Sequence, residues 1–522
     1  MNWFIQRHAS SVRGVLNGFD RLRLRGTKRL LAHVGGMRHF LWQQGVLLKD
    51  FKSYVMETTD RIRRTTERLA DAAGRPRLYL ASSSTKKEDV ARGIAKRDGI
   101  REGLICVLSS VEPCRSYDLH RNRATRELDL RIGWRKCLHY YYYLMHPLLG
   151  FMHVRLQTWF PLMVHLCLNG REWLARQMDA AGIGYVRRGN CFVQIADVAA
   201  AQALMDRQLR THWPRLLDGL VRQVHPSDAN IFRDTPVDYY WSVDQSEWAS
   251  DVMFRSTGML AGLYPRLIRH GMEHLGSMEV MRFLGHKVPA HNGRYGTFKG
   301  EVISDLLQRP EGVRIKHRVS GNSIKMYDKH GSVLRVETTI NEARCLKVYR
   351  PKEGDPNGPK RWRYLRKGIA DLHRRAQVSQ AANHRYFDAM AAVDDPRCTL
   401  GMLAEAVCRP VRWKTQRVRA LNPLSPDDAA LLAAVSRGEF TINGFRNRDL
   451  RTLLDDGPDG SPDVARRRSA AVTRKIRLLR AHGLIHKVPS ANRYKVSPRG
   501  RTAITAFLAA RAATPSKLTD AA

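Results

Sequence analysis

The chain has 522 residues, 89 Lys+Arg against 49 Asp+Glu, a formal charge of +40 and a sequence pI near 10.5. An excess of that size builds a positive potential over much of the surface, which argues against an ordinary near-neutral enzyme and for a polyanionic partner, nucleic acid ahead of membrane. With 43% apolar residues there is material for real cores, so a disordered basic tail is excluded, and the length implies about three domains.

The most apolar stretch, Leu144 to Leu168, is interrupted by His146, Pro147, His153, Arg155, Gln157, Pro161 and His165, so no bilayer span is expected. Met1 to His8 lacks the apolar core and cleavage site of a signal peptide. A cytoplasmic, bacterial, nucleoid-associated protein is expected. Eight cysteines are scattered without a CxxC pair, which argues against structural zinc and leaves reduced thiols as the default.

Residues 1–75 read as a basic helical region. Arg13, Arg21, Arg23, Arg25, Lys28 and Arg29 cluster early, Gly35-Gly36 breaks the pattern, and Thr58 to Ala73 has the character of an amphipathic helix stopped by Gly74 and Pro76. The arginine cluster is either a nucleic-acid contact or a solvated helical face. Residues 76–235 read as an α/β region. Leu78 to Leu80 is a strand, Ser82 to Thr85 a polar loop that caps a helix over Lys86 to Arg97, and Gly103 to Leu108 a second strand. This β-loop-α-β unit lacks the glycine spacing of a P-loop.

Leu128 to Pro161 is the most aromatic part, with Trp134, Tyr140 to Tyr143, Phe151, Trp159 and Phe160. Leu138 to Tyr143 and Phe151 to Thr158 read as a hairpin. Met152, Val154, Leu156 and Thr158 share one face; His153, Arg155, Gln157 and Trp159 share the other. Tyrosines beside arginines suit stacking on unpaired bases, and equally suit packing with wet hydroxyls. Pro161 to Ala181 turns helical, and Asp197 to Gln223 is helical with a break at Trp213-Pro214.

Residues 236–350 read as an antiparallel sheet region with an acidic site. Val237 to Asp251 begins as a strand and ends as a helix, and a helix starting at Asp244 puts Asp244, Glu247 and Asp251 on one face. Such oxygens build Mg²⁺ or Mn²⁺ sites for phosphoryl chemistry. Acids in a first turn also cap a helix and complement its dipole, so both readings stand. Gly312 to Ile340 alternates as three antiparallel strands, with turns at Gly321-Asn322 and Asp328-Lys329-His330-Gly331. The polar side carries Arg314, Lys316, Arg318, Lys325, Tyr327, Arg335 and Glu337. That face suits a phosphate backbone, or serves as a charged edge that keeps the sheet soluble.

Lys325-Met326-Tyr327-Asp328-Lys329 with Arg335-Val336-Glu337 resembles the Y-D-K and R-x-E hairpin of rolling-circle replication initiators of plasmids and filamentous phages. The resemblance covers Asp238 to Ile340. It implies a carboxylate-held Mg²⁺ or Mn²⁺, with Asp244 and Glu337 as ligands beside Glu247. Arg335 and Lys329 would steady the phosphate. Tyr327 would be the tyrosine that attacks DNA, with Tyr264 as a helix-borne counterpart. There is no H-x-H motif, His153 standing alone, so the carboxylate variant of the family is the one implied.

Residues 351–420 read as a basic helical linker region, with a loop over Arg350 to Gly358 and a helical pair over Arg361 to Val393. In residues 421–522, helices over Ser425 to Val435, Thr441 to Leu454 and Ser469 to His482 precede a hairpin, Leu484 to Val488 and Arg493 to Ser497, turning at Pro489 to Asn492. A last helix covers Thr502 to Arg511. Arg480 to Lys487 followed by Arg493 to Gly500 resembles the winged-helix domain of MarR-type regulators over about the last ninety residues. The resemblance implies that Thr473, Arg474, Lys475 and Arg477 enter a major groove, with Arg493 and Lys495 beside the backbone.

The expected fold is α+β: a central antiparallel or mixed sheet with flanking helices, a basic helical N-terminal region and a C-terminal winged helix. Two functions follow. One is a metal-dependent DNA nickase or replication initiator of a mobile element. The other is a non-catalytic scaffold or regulator for DNA or structured RNA. DNA is the favoured partner, RNA an alternative, no membrane is expected, and self-association into a homo-oligomer is left open.

Overall fold

Alternation, not helical periodicity, governs the start of the chain. In the computed structural model, Val12–Lys28 is one 17-residue strand. Leu16, Leu22 and Leu24 are buried while Arg13 and Arg23 are exposed. Arginines spaced by two share a face of a strand, so the expected basic helix is replaced by a strand over these residues. Helices Val34–Gln43 and Phe51–Ala72 follow, the second containing the expected Thr58 to Ala73 segment. The structure describes all residues except 83, 125, 274, 287–289, 292–293, 296–300, 310–311, 353, 356, 392–398, 438–439, 441–443, 455–460, 489–491 and 515–522.

Two discontinuous units divide the chain: Gly14–Met253 with Glu337–Gln380, and Met1–Arg13 with Phe254–Val336 and Ala381–Ala522. In the first, the end of strand Val333–Ile340 lies beside Tyr239–Phe254. Then come Val12–Lys28, Val164–Asn169, Gly150–Gln157, Leu128–His146, Gly103–Arg121 and Arg77–Tyr79. Arg77–Tyr79 runs parallel to Gly103–Arg121, the two joined through helix Lys87–Arg97, whereas the hairpin strands are antiparallel. The sheet is mixed and the fold is α+β, as expected.

Two further stretches expected to be helical are strands, one in its second half and one near its start. Tyr239–Phe254 is a strand throughout. Ser246, Trp248 and Ser250 on one face are buried, and so are Ala249 and Asp251 on the other. A strand buried on both faces loses its polar alternation, and acids spaced by three and four then mimic a helix face. Within Pro161 to Ala181, Val164–Asn169 is a strand and only Gly170–Ala180 is helical. The Asn169 side chain caps that helix, accepting from the Arg171 and Glu172 amides at 2.8 and 3.2 Å.

The long first strand is overlaid closely by helices. A Cβ on Gly18 would lie 2.1 Å from Met205 Cε of helix Val198–Arg207, and one on Gly170 would lie 1.9 Å from the Phe19 carbonyl oxygen.

In the second unit, Ile303–Arg309, Gly312–Val319, Asn322–Lys329 and the start of Val333–Ile340 run as consecutive antiparallel neighbours. Three are the expected meander; Ile303–Arg309 is an addition. Both turns use two residues of positive φ, Ser320-Gly321 at 49° and 79° and His330-Gly331 at 56° and 76°, the geometry that matches strand twist.

The expected helical pair over Arg361 to Val393 is corrected to a hairpin, Lys347–Arg350 with Arg361–Tyr364, and one helix, Leu372–Met390. Residues 392–393 lie outside the described residues. Further on, helices Pro426–Ser436, Asn447–Leu454 and Pro462–Ala481 precede the hairpin Ile485–Lys487 and Tyr494–Val496 and helix Pro498–Ala512. Phe445 bridges Tyr494, and Leu432, Leu450, Ile476, Leu479 and Ile504 share one core. Residues 441–443 of the expected second helix and 489–491 of the expected turn lie outside the described residues. Among the described residues, no helix is long and apolar enough to cross a membrane.

Because the Gly170 position meets a main-chain oxygen, Gly170→Ala is expected to destabilise the protein by about 2 kcal/mol or more, read as a lower unfolding midpoint in denaturant.

Candidate metal centre

Three neighbouring strands of the larger unit each contribute one acid. Asp20 from Val12–Lys28, Glu247 from Tyr239–Phe254 and Glu337 from Val333–Ile340 place one carboxylate oxygen each within 4.8 Å of one another. Asp20 and Glu337 are buried and Glu247 is half-buried. Like charges so close in a poorly solvated place repel strongly unless cations or protons intervene.

Arg171 supplies part of that compensation. Its side chain is 0% exposed, 2.9 Å from Asp251 and 3.8 Å from Asp20. Asn190 Nδ2 donates to both Asp20 oxygens, at 3.2 and 2.9 Å. Next along the strand, burial works against the charge of the Arg21 guanidinium, but Glu247, Cys167, Asp20 and Glu337 outweigh it and raise its pKa. Asp20 is thus oriented by its neighbours. A set of carboxylate oxygens without nitrogen or sulfur suits a hard cation such as Mg²⁺ or Mn²⁺ rather than zinc.

Of the expected ligands, Glu247 and Glu337 are in this group and Asp244 is not. In a strand, positions 244 and 247 point to opposite faces, and Asp244 instead pairs with Arg25 at 3.0 Å. Burial raises the Asp244 pKa while Arg25, Lys367 and Arg375 oppose that rise. Asp20 takes its place. Asp20 sits in the arginine-rich segment whose sequence reads as helical; the alternation of Leu22 and Leu24 with arginines is the signal that marks it as a strand residue.

The remaining expected residues fall into separate groups. Tyr327 lies opposite Arg314, and Lys325 opposite Lys316. The ammonium groups of Lys325 and Lys329 sit 5.7 and 5.2 Å from the Tyr327 ring centroid, within cation–π range. Arg318 pairs with Asp305 at 2.7 Å and Arg314 lies 3.8 Å from the same acid. Burial, with Lys325, Arg314 and Arg318 nearby, lowers the Lys316 pKa. Arg335 and Glu337 are both 0% exposed, so the expected solvent-facing polar side ends before them. Tyr264 is buried and its hydroxyl donates to the Val313 carbonyl, which leaves it satisfied rather than poised for attack.

Arg155 is held inside a polar row across the sheet, with Tyr141, Arg155, His165 and Arg25 in register. It pairs with Glu112 at 3.1 Å, which also accepts from Tyr141, Ser110 and Lys87. Burial pushes the Glu112 carboxyl up, but bonds from Tyr141, Ser110 and Lys87 and the charge of Arg155 bring it down to about 2.

On helix Pro462–Ala481, Thr473 accepts from Asn447 Nδ2 at 2.9 Å and Arg477 donates to Gln416 at 2.8 Å. Arg474 is exposed, and Lys475, Arg493 and Lys495 are half-buried. Exposed Arg466 and Arg467 extend the same helix's charge, a contribution sequence reading passed over. No protein-family model, curated protein or solved structure matches the chain.

Removing Arg171 leaves Asp251 buried without that cation, so Arg171→Ala is expected to cost about 3–5 kcal/mol in chemical denaturation. Glu112 has a depressed folded pKa, so its stabilising contribution is present above the ordinary carboxyl pKa of 4.5 and fades as pH falls through about 2. Glu112→Gln is expected to lower stability at neutral pH and to flatten the acid limb of the unfolding profile.

Proposed function

We propose that the chain is a nucleic-acid-binding protein of a bacterial mobile element that cleaves a DNA strand with Mg²⁺ or Mn²⁺ held by Asp20, Glu247 and Glu337. The observation that carries this reading is the convergence of three carboxylates from adjacent strands in a protein of formal charge +40. A bound divalent ion would neutralise charge on a phosphodiester and activate the attacking oxygen. In this reading Asp20 is oriented by Asn190 and Arg171, and Glu247, the half-buried member, is the acid that substrate reaches.

The helix–helix–helix–hairpin module supports a division of labour. Helix Pro462–Ala481 presents Arg466, Arg467 and Arg474 to solvent, as a groove-reading helix would, and the hairpin bearing Arg493 and Lys495 would flank the backbone. Tyr327, with Lys325 and Lys329 against its ring, belongs to the other unit, so the cleavage reading rests on the acidic group; were this tyrosine to attack DNA, its phenolic oxygen would bond to phosphorus as the bond to the 3′ oxygen breaks, leaving a 5′-phosphotyrosine and a 3′-hydroxyl. A second reading, a non-catalytic scaffold or regulator for DNA or structured RNA, draws support from Arg171, which already compensates part of the buried acid group.

The test is incubation of the purified protein with labelled single- and double-stranded DNA, with Mg²⁺ or Mn²⁺ and then with EDTA, beside Glu337→Gln, Asp20→Asn and Asp244→Asn. Metal-dependent nicking is expected to fall about a hundredfold in the first two variants and to persist in the third. A covalent adduct lost in Tyr327→Phe would place that tyrosine as nucleophile. Binding without cleavage on every substrate retires the nickase in favour of the scaffold.

A further inference from the structure

Apart from the acidic group, the larger unit contains a cleft of about 490 Å³ whose lining is aromatic and cationic. Its walls come from the first turns of helix Phe51–Ala72, from the hairpin strands Gly103–Arg121 and Leu128–His146, and from the segment after Gly150–Gln157. Trp134 and Lys136, two residues apart on one strand, share a face; Lys52 and Trp159 lie across from them. Tyr117 closes the floor, held by its hydroxyl's bond to the Leu31 carbonyl at 2.8 Å.

Two features of this cleft are not explained by folding. Trp134 is 75% exposed, a large apolar surface left in water. Lys52 and Lys136 are exposed and neither pairs with a carboxylate among the described residues, whereas Arg135 beside them is taken up by Asp118. Indole faces next to uncommitted ammonium groups match a ligand that is flat and apolar in one part and anionic in another. Nucleotides have that make-up, and the volume is within the range of small-ligand sites.

From this cleft we infer a slot for an unpaired nucleotide of a single-stranded polynucleotide, with Trp134 and Trp159 stacking on a base and Lys52 and Lys136 meeting the flanking phosphates. The inference rests on the nucleic-acid reading above and adds the strandedness of the substrate. A base in a duplex is covered on both faces by its neighbours and cannot offer one to Trp134, so the slot selects single strands. Because stacking accepts any base, the slot holds a strand without reading its sequence.

The experiment compares wild type, Trp134→Ala, Trp159→Ala and the double variant Lys52→Gln/Lys136→Gln. Fluorescence anisotropy follows labelled oligothymidylate, oligouridylate and a duplex of equal length. Trp134 is exposed, so its replacement is expected to leave the unfolding midpoint unchanged. Single-strand binding is expected to weaken about tenfold in each tryptophan variant while duplex binding changes less than about twofold. In the lysine variant the slope of log affinity against log salt is expected to shrink by about 1.4 for single strands. Competition by thymidine monophosphate separates a free nucleotide from a strand as the source of the ligand; a strand is expected, with the mononucleotide displacing it only weakly. Equal losses on single strand and duplex, or no loss in either tryptophan variant, would overturn the slot while leaving nucleic-acid binding standing. A change confined to self-association would assign the cleft to a second copy instead. Wild type that binds no polynucleotide would overturn both readings.

Discussion

Carboxylates gathered within a few ångströms inside a protein need cations or protons gathered with them, and the larger unit meets that requirement with a buried arginine. Asp20 lies mid-strand in Val12–Lys28, between Tyr239–Phe254 and Val164–Asn169. The chain then turns at Asn169, whose side chain caps the next helix and so fixes where Arg171 begins it. Arg171 reaches Asp251 and Asp20 from that first turn. One cap thereby positions the cation that makes an acidic centre tolerable. Gly170, pressed against the Phe19 carbonyl, leaves no room for a different entry.

The same economy of charge appears elsewhere and qualifies what +40 means. Lys28 is almost wholly buried, bonded to Asp228 at 3.1 Å and the Val237 carbonyl at 2.6 Å, with its ammonium 4.0 Å from the Phe232 ring centroid. Burial lowers its pKa, with Asp228 working the other way. Arg375, also buried, donates to the Val243 and Ile340 carbonyls and to Ser246. These cations hold strands and helices together and contribute little to a surface field. The surface field comes from other residues, among them the exposed arginines of helix Pro462–Ala481 and the lysines around the tryptophan cleft. A polyanion would meet those first, and long-range attraction and local chemistry are therefore carried by different residues.

Where local signals agreed, the sequence was readable. The meander was legible because alternation over Gly312 to Ile340 coincided with turns able to take positive φ. The C-terminal elements were legible in part because Ser425-Pro426 marks a helix start, its serine side chain accepting from a first-turn amide; Ser497-Pro498 marks another in the same way, four residues ahead of the expected start at Thr502. Legibility failed where burial on both faces erased alternation, as in Tyr239–Phe254, and where arginines dominated a strand, as in Val12–Lys28. Those two strands carry Glu247 and Asp20. The acidic centre is thus only partly visible in the sequence: Glu247 and Glu337 stand out as acids, Asp244 joins them there through a helix that does not form and through the family resemblance, and Asp20 belongs with them only through strand pairing across more than two hundred residues.

In the proposed reading Asp20, Glu247 and Glu337 hold one divalent ion. Mn²⁺ titration followed by electron paramagnetic resonance, with calorimetry on the same samples, addresses it without requiring a substrate. One bound ion per chain is expected, lost in Glu337→Gln and in Asp20→Asn and retained in Asp244→Asn. A folded protein that takes up no Mn²⁺, or that binds it equally well in Glu337→Gln, would rule out that site and leave the three acids as a charge-compensated element of the core.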